Sequence, residues 1–257
     1  MQEKTFYYTS YDEDIIQAQN QDFSLPPDYQ WQRDTQSAKV KSWLVRYGIR
    51  AFSYVFCPFY LHLHRHETYK EVTSLLDRGC YLYVNHTQTV GDAAIPYYVL
   101  KKKWPAIIVS PANLSIPVIG KLIPYGGGLP IPSQLHKLRD FNQVVHQRIS
   151  NNRCVVIYPE AHVWPYYTGI RPFELTSFHY PAKDNAPVYC LTNTYQKRRW
   201  GKKPQITSFL DGPFFAPEGL KQKERQQVLS EQVHNCMQKR SQYSTYKYIK
   251  YQRKDQQ

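Results

Sequence analysis

Short apolar runs alternating with segments of helical period predict an α/β domain, with a mixed, mostly parallel central sheet flanked by helices. Three observations carry this reading. Cys80-Tyr81-Leu82-Tyr83-Val84 and Val155-Val156-Ile157-Tyr158 are continuous apolar runs of strand length, as strands buried on both faces require. Segment 134–150 places Leu138, Phe141, Val145 and Ile149 at helical spacing. Polar residues collect just after the apolar runs, at the strand ends where open α/β sheets hold ligands.

The elements follow in order. Residues 1–35, with Asp12-Glu13-Asp14 and Pro26-Pro27 and little periodicity, read as an extended acidic arm. Residues 36–66 form a membrane-interfacial helical segment. Within it, 43–63 is aromatic and apolar, with Arg46 and Arg50 one turn apart making a polar face, and Pro58 ending or kinking the helix. Packing of that helix against the core is the alternative. The α/β domain spans 67–242. It begins with a helix over 67–77, stopped by Gly79, and strand 80–84. Helix 92–102 and strand 105–109 come next, then a short helix from Asn113 to 123. Strand 127–131, helix 134–150 and strands 154–158, 187–193 and 205–210 complete the sheet. Pro217-Glu218 opens a polar helix to about residue 239, and 243–257 is a basic, mobile tail.

Three segments carry candidate chemistry. In Asn85-His86-Thr87-Gln88-Thr89-Val90-Gly91-Asp92, His86 follows a strand and Asp92 lies near a helix start. A His oriented by a carboxylate is a general base suited to neutral pH. A helix-capping Asp beside a merely polar His is the other reading. Gly126, Gly127 and Gly128, before Leu129-Pro130, leave backbone amides bare for an oxyanion, or simply make a tight turn. Glu160 follows Tyr158-Pro159 at another strand end, with His162 beyond it. Arg171, in Gly169-Ile170-Arg171-Pro172-Phe173, is a phosphate-binding candidate or an ordinary ion-pair residue.

In this order the segments resemble the glycerolipid acyltransferase family typified by lysophosphatidic acid acyltransferase (1-acyl-sn-glycerol-3-phosphate acyltransferase). That family carries Asn-His, four residues, Asp; a Gly-rich strand entry often closed by Arg; and Phe-Pro-Glu-Gly-Thr-Arg-Ser. Asn85-His86 with Asp92 matches the first block, Gly127 to Pro132 the second, Tyr158-Pro159-Glu160 the start of the third, and Ala186-Pro187-Val188-Tyr189-Cys190-Leu191 the apolar fourth. The resemblance covers roughly residues 40–215. There are departures. Five residues separate His86 from Asp92, and Gly91 is the residue suited to absorb the extra one. Ala161-His162 stands where Gly-Thr-Arg is usual, and Ser133 where the second block ends in Arg. The resemblance implies His86 as base and Asp92 as its partner, with the amides of 126–128 at the oxyanion and Glu160 and Arg171 on the acceptor. It implies transfer of a fatty acyl group from acyl-CoA or acyl-ACP to the free hydroxyl of a lysophospholipid, in phospholipid biosynthesis. Those thioesters are co-substrates, and no cofactor or metal is implied. The missing arginines keep a glycolipid or a small amine open as acceptor.

Composition bears on partners. The 257 residues suffice for one sizeable core and carry a net charge of +13. Residues 196–257 hold 14 Lys and Arg against 5 Asp and Glu, so the excess sits mainly at the end. Basic surface attracts anionic lipid or nucleic acid. The 23 tyrosines suit a membrane interface or stacked bases equally. The 43–63 segment favours membrane lipids, with no nucleic acid expected; a non-enzymatic basic binding protein is the competing class. Five widely spaced cysteines, Cys57, Cys80, Cys154, Cys190 and Cys236, read as reduced, buried thiols. His62, His64 and His66 alternate and read as polar residues closing the interfacial segment rather than metal ligands. The polar, acidic start does not have the pattern of a secretory signal, so the expected place is the cytoplasmic face of the cell membrane, peripherally bound.

Overall fold

The computed structural model describes residues 4–16, 20–74, 77–101 and 103–254. Its centre is a seven-stranded sheet, mixed and mostly parallel as the sequence predicts. The strands are β2 (Leu63–Arg65), β3 (Cys80–Val84), β4 (Pro105–Val109), β5 (Gly128–Pro130), β6 (Cys154–Ile157), β7 (Val188–Gln196) and β8 (Gln205–Phe214), in the order β2-β8-β7-β3-β6-β4-β5. β7, β3, β6, β4 and β5 run parallel; β8 is antiparallel to β7, and β2 runs with β8.

β3 lies mid-sheet, and both of its faces are buried. Cys80, Leu82 and Val84 face one hydrophobic cluster, Tyr81 and Tyr83 the other. A period of two divides one apolar run between two cores, hence its lack of polar alternation. Over the first face lie α1 (Gln36–Val55), α2 (Thr68–Ser74) and α3 (Gly91–Val99). Over the second lie α5 (Leu138–Ser150), α6 (His179–Asp184) and α7 (Gln222–Ser241), leaving the short α4 (Ile119–Leu122) before β5. α3 is buried nearly all round, as its unbroken Ala-Ala-Ile-Pro-Tyr-Tyr-Val composition requires.

α1 is set by its N-cap: the Thr35 side chain accepts from Ala38 N at 3.3 Å. It runs into a π-helical turn, Phe56–Tyr60, that contains Pro58. Its two arginines do not form an outer polar face. Arg46 Nε donates to Tyr125 O at 3.3 Å, and Arg50 donates to Lys103 O at 2.6 Å while covering the Trp104 ring at 3.6 Å. Both point onto the domain, because buried carbonyls at the ends of neighbouring elements need donors. The helix turns Val40, Trp43, Leu44, Tyr47 and Val55 outward instead. No helix among the described residues is long and apolar enough to cross a membrane.

The termini depart from the sequence reading. The arm contributes β1 (Thr5–Tyr8) and the tail β9 (Lys250–Arg253), which pair in parallel. Trp31 is buried, donating its indole N–H to Pro130 O at 2.9 Å. Trp164, fully buried, is where both ends meet: Tyr251 stacks on it at 5.1 Å, and Tyr8 meets it edge-on at 4.8 Å. The arm is therefore packed, and the tail is anchored by its aromatic residues. The structure also adds α6, in a stretch to which the sequence assigns no element, and β2, inside the predicted interfacial segment. The outermost residues of the predicted arm and tail, the last turn of helix 67–77 and the end of helix 92–102 include positions outside the described residues.

The glycine run makes its turn for steric reasons. Gly127 has φ +94°, and a Cβ there would lie 2.6 Å from Pro105 O; a Cβ on Gly128 would lie 2.2 Å from Ile123 Cγ2. Gly127→Ala is therefore expected to destabilise the fold by about 2 kcal/mol or more. The urea midpoint checks this; an unchanged midpoint would mean the turn has room to relax.

Candidate active site

The site is built at the carboxyl ends of β3 and β6. The last strand residue, Val84, is followed by Asn85, whose side-chain amide spans to β7: its Nδ2 donates to Asn193 O at 3.0 Å and its Oδ1 accepts from Asn193 N at 2.8 Å. A buried amide satisfied on both sides fixes where the chain leaves the sheet. His86 comes next. Its backbone is held at both ends: its N–H donates to Glu160 Oε2 at 2.8 Å, and its carbonyl accepts from Trp164 N at 3.0 Å. Tyr166 N donates to Thr87 O at 2.9 Å, so the loop after β6 is zipped onto the loop after β3.

The imidazole is oriented by Asp92, with His86 Nδ1 2.7 Å from Asp92 Oδ2. The same carboxylate oxygen accepts from Gln88 N at 2.9 Å. The sixth-residue spacing is accommodated because 85–90 is loop and α3 starts only at Gly91. Gly91 serves this by close approach rather than by an unusual φ: a Cβ there would lie 2.8 Å from Gln88 Cβ and 2.9 Å from Leu61 Cδ1. Asp92 is buried and sits in the first turn of α3. Burial pushes its carboxyl above the ordinary Asp range; the His86 and Gln88 hydrogen bonds oppose that shift.

Pro96 supplies a less obvious constraint. A residue four places after Asp92 would ordinarily donate its N–H to the Asp92 carbonyl, and proline has none. That carbonyl instead accepts the Tyr158 hydroxyl at 2.5 Å. The Tyr158 ring then lies 4.4 Å from the His86 ring. The imidazole is thus fixed by a carboxylate at Nδ1 and by an aromatic wall, and among the described residues Nε2 has no hydrogen-bond partner. With Nδ1 protonated and donating to Asp92, Nε2 is the free base.

Glu160 and Arg171 come together, but inward. Glu160 is 4% exposed and Arg171 1%. Glu160 Oε1 accepts from Arg171 N at 2.8 Å, and Oε2 is 3.4 Å from an Arg171 terminal nitrogen as well as holding His86 N. Arg171 also donates to the carbonyls of His162 and Tyr11, and covers the Trp164 ring at 4.9 Å. Burial draws its pKa below the ordinary Arg value, against the pull of Glu160. Neither side chain has surface to offer an acceptor in this arrangement. What they touch is the backbone that carries His86.

Gly126, Gly127 and Gly128 do not reach the site. Gly128 is level with Leu82 through Ile107 and Val156, and three strands from β3. At ordinary strand spacings that is roughly 20 Å from His86. Their amides are also spent, donating to Leu122 O, Pro124 O and Ile123 O. Gly126 and Gly127 precede β5 and Gly128 opens it, whereas the strand ends that carry His86 and Glu160 lie at the opposite edge of the sheet. Ala161, in the place of the third block's glycine, has φ +60°, the conformation that favours glycine. Sequence reasoning missed Tyr158 and Asn85 as site-building residues. The Pro four places after Asp92 and the Asn of Asn85-His86 were the available signals.

No protein-family model and no curated protein matches this sequence. Its fold is similar to that of the 1-acyl-sn-glycerophosphate (LPA) acyltransferase PlsC from Thermotoga maritima, with a TM-score of 0.53 at 17% identity over 81% of this chain and 84% of that one. The likeness shows the fold.

The buried brace carries a testable consequence. Arg171→Ala strands the Glu160 carboxylate and is expected to cost about 3–5 kcal/mol. A denaturation curve checks it, and a loss under about 1 kcal/mol would show that the pair is not structural.

Proposed function

We propose that this protein is an acyltransferase that moves a fatty acyl group from an acyl thioester, acyl-CoA or acyl-ACP, to the free hydroxyl of a lysophospholipid. The simplest acceptor is 1-acyl-glycerol-3-phosphate, which would place the protein in phospholipid biosynthesis. The observation that carries this is the His86–Asp92 pair, at 2.7 Å with a buried carboxylate, at the carboxyl edge of a sheet in a fold similar to that of an LPA acyltransferase.

The chemistry needs one base and no covalent intermediate. His86 Nε2 takes the proton of the acceptor hydroxyl as its oxygen attacks the thioester carbonyl. Asp92 keeps Nδ1–H directed and stabilises the imidazolium that forms. Collapse of the tetrahedral intermediate breaks the C–S bond, and the imidazolium proton leaves with the thiol. Glu160 and Arg171 act in this scheme as positioning residues through the His86 backbone. The outward apolar face of α1 suits a helix lying in the lipid headgroup region, peripheral at the cytoplasmic face of the membrane. Membrane lipids and the acyl donor are then the partners.

One observation favours a second acceptor class. Arg171 is engaged with Glu160 and two carbonyls, and Ser133 replaces the other family arginine. A glycolipid or an amine, neither of which needs a phosphate clamp, fits that arrangement.

The test is thiol release from long-chain acyl-CoA and acyl-ACP, with and without lysophosphatidic acid in vesicles. Acceptor-dependent release is expected in the wild type. It should vanish in His86→Ala and fall roughly 10^3-fold or more in Asp92→Asn. Because the fold raises the Asp92 pKa, its charge costs stability above the ordinary Asp range, and that cost fades as pH falls through the raised value toward about 4. Asp92→Asn should therefore be at least as stable as the wild type at neutral pH, and the gap should close on acidification. Full activity in His86→Ala would remove His86 as the base, and no thiol release from either donor by folded wild type would leave a non-enzymatic binding protein as the reading.

A further inference from the structure

The loop joining β7 to β8, residues 197–204, reads Lys-Arg-Arg-Trp-Gly-Lys-Lys-Pro: five cationic side chains, no acid and one tryptophan. It stands at the carboxyl end of β7, the same sheet edge as His86. The turn is shaped from within, by Arg198 donating to Trp200 O at 2.6 Å and by Gly201 at φ +87°. That leaves Trp200 75% exposed, with Arg199 over its ring at 5.6 Å.

Its neighbour explains the composition. Lys203 Nζ sits 3.6 Å over the ring of Tyr60, the last residue of the π-helical turn that ends α1. Next to Tyr60, Phe59 is 74% exposed. The basic loop therefore continues the outward apolar face of α1 and supplies cations at the end nearest His86. Aromatic rings interleaved with Lys and Arg beside an apolar face match an anionic bilayer surface, with rings at headgroup depth and cations on lipid phosphates. A soluble polyanion or an acidic protein would account for the charges but not for the apolar continuation.

We propose that the 197–204 loop is a second membrane contact, specific for anionic lipid headgroups, that sets the carboxyl edge of the sheet and His86 against the bilayer. It extends the membrane reading of α1 and does not depend on the chemistry assigned to His86. The test is flotation of the whole protein with vesicles of phosphatidylcholine, alone or with phosphatidylglycerol. Wild type should bind the anionic vesicles more tightly. Lys197→Glu with Arg199→Glu, both at exposed positions outside the turn's internal hydrogen bond, should lose roughly ten- to hundredfold of anionic binding. Their binding to neutral vesicles should be unchanged. Trp200→Phe should lose the part of the tryptophan blue shift that anionic vesicles add beyond neutral ones, leaving the contribution of Trp43. Anionic binding equal to wild type in the charge-reversed variant would overturn the proposal. So would intact vesicle binding accompanied by a raised KM for acyl-ACP, which would make the loop a donor dock. Trp43→Ser with Leu44→Ser is the separate arm for α1: if it binds both vesicles normally, the α1 reading fails and the loop's role stands.

Discussion

The buried carboxylate of Glu160 is the constraint around which the functional edge is assembled. A carboxylate removed from water is costly unless its lone pairs are satisfied. Here they take the His86 N–H, the Arg171 N–H and the Arg171 guanidinium. Meeting that requirement draws the loop after β6 onto the loop after β3, and Arg171 then recruits the Tyr11 and His162 carbonyls and the face of Trp164. β1 and β9 pair beside Trp164, so both chain termini are coupled to the same ion pair.

The side chain of His86 is determined by a second, independent set of contacts. Asp92 approaches from the first turn of α3, and Pro96 frees the Asp92 carbonyl for Tyr158, whose ring walls the imidazole. Backbone and ring are thus held by different elements. An imidazole so placed has little side-chain entropy left to lose, which is the physical content of preorganisation.

Much of this was legible in the sequence, and the illegible parts share a cause. Continuous apolar runs identify β3, β4, β6 and β7, because strands buried on both faces have no polar alternation to disguise them. The nearness of His86 and Asp92 follows from six residues of loop and helix start. The direction in which a polar or bare residue faces does not. A glycine run looks the same whether it frees amides for a ligand or lets Gly127 pass Pro105, and here the second holds. Arg46 and Arg50 at one-turn spacing define a face but not its orientation, and carbonyls distant in sequence turned them inward. The family resemblance placed Glu160 and Arg171 on the acceptor; in the fold each is buried against the other. β1 and β9 are four residues each, carry mixed polar and aromatic side chains, and gain their order from Trp164.

Inward arginines and outward aromatics on α1, a basic loop at one end of it, and a braced His at the same sheet edge are the features on which the proposed acyl transfer at a lipid surface rests. The claim at the centre is transfer, as opposed to hydrolysis, of the acyl group. It is tested most directly by mass spectrometry of the products formed from an acyl thioester and lysophosphatidic acid in vesicles. The account predicts one diacyl product per thiol released. Thiol release balanced by free fatty acid, with the lysolipid untouched, would contradict it.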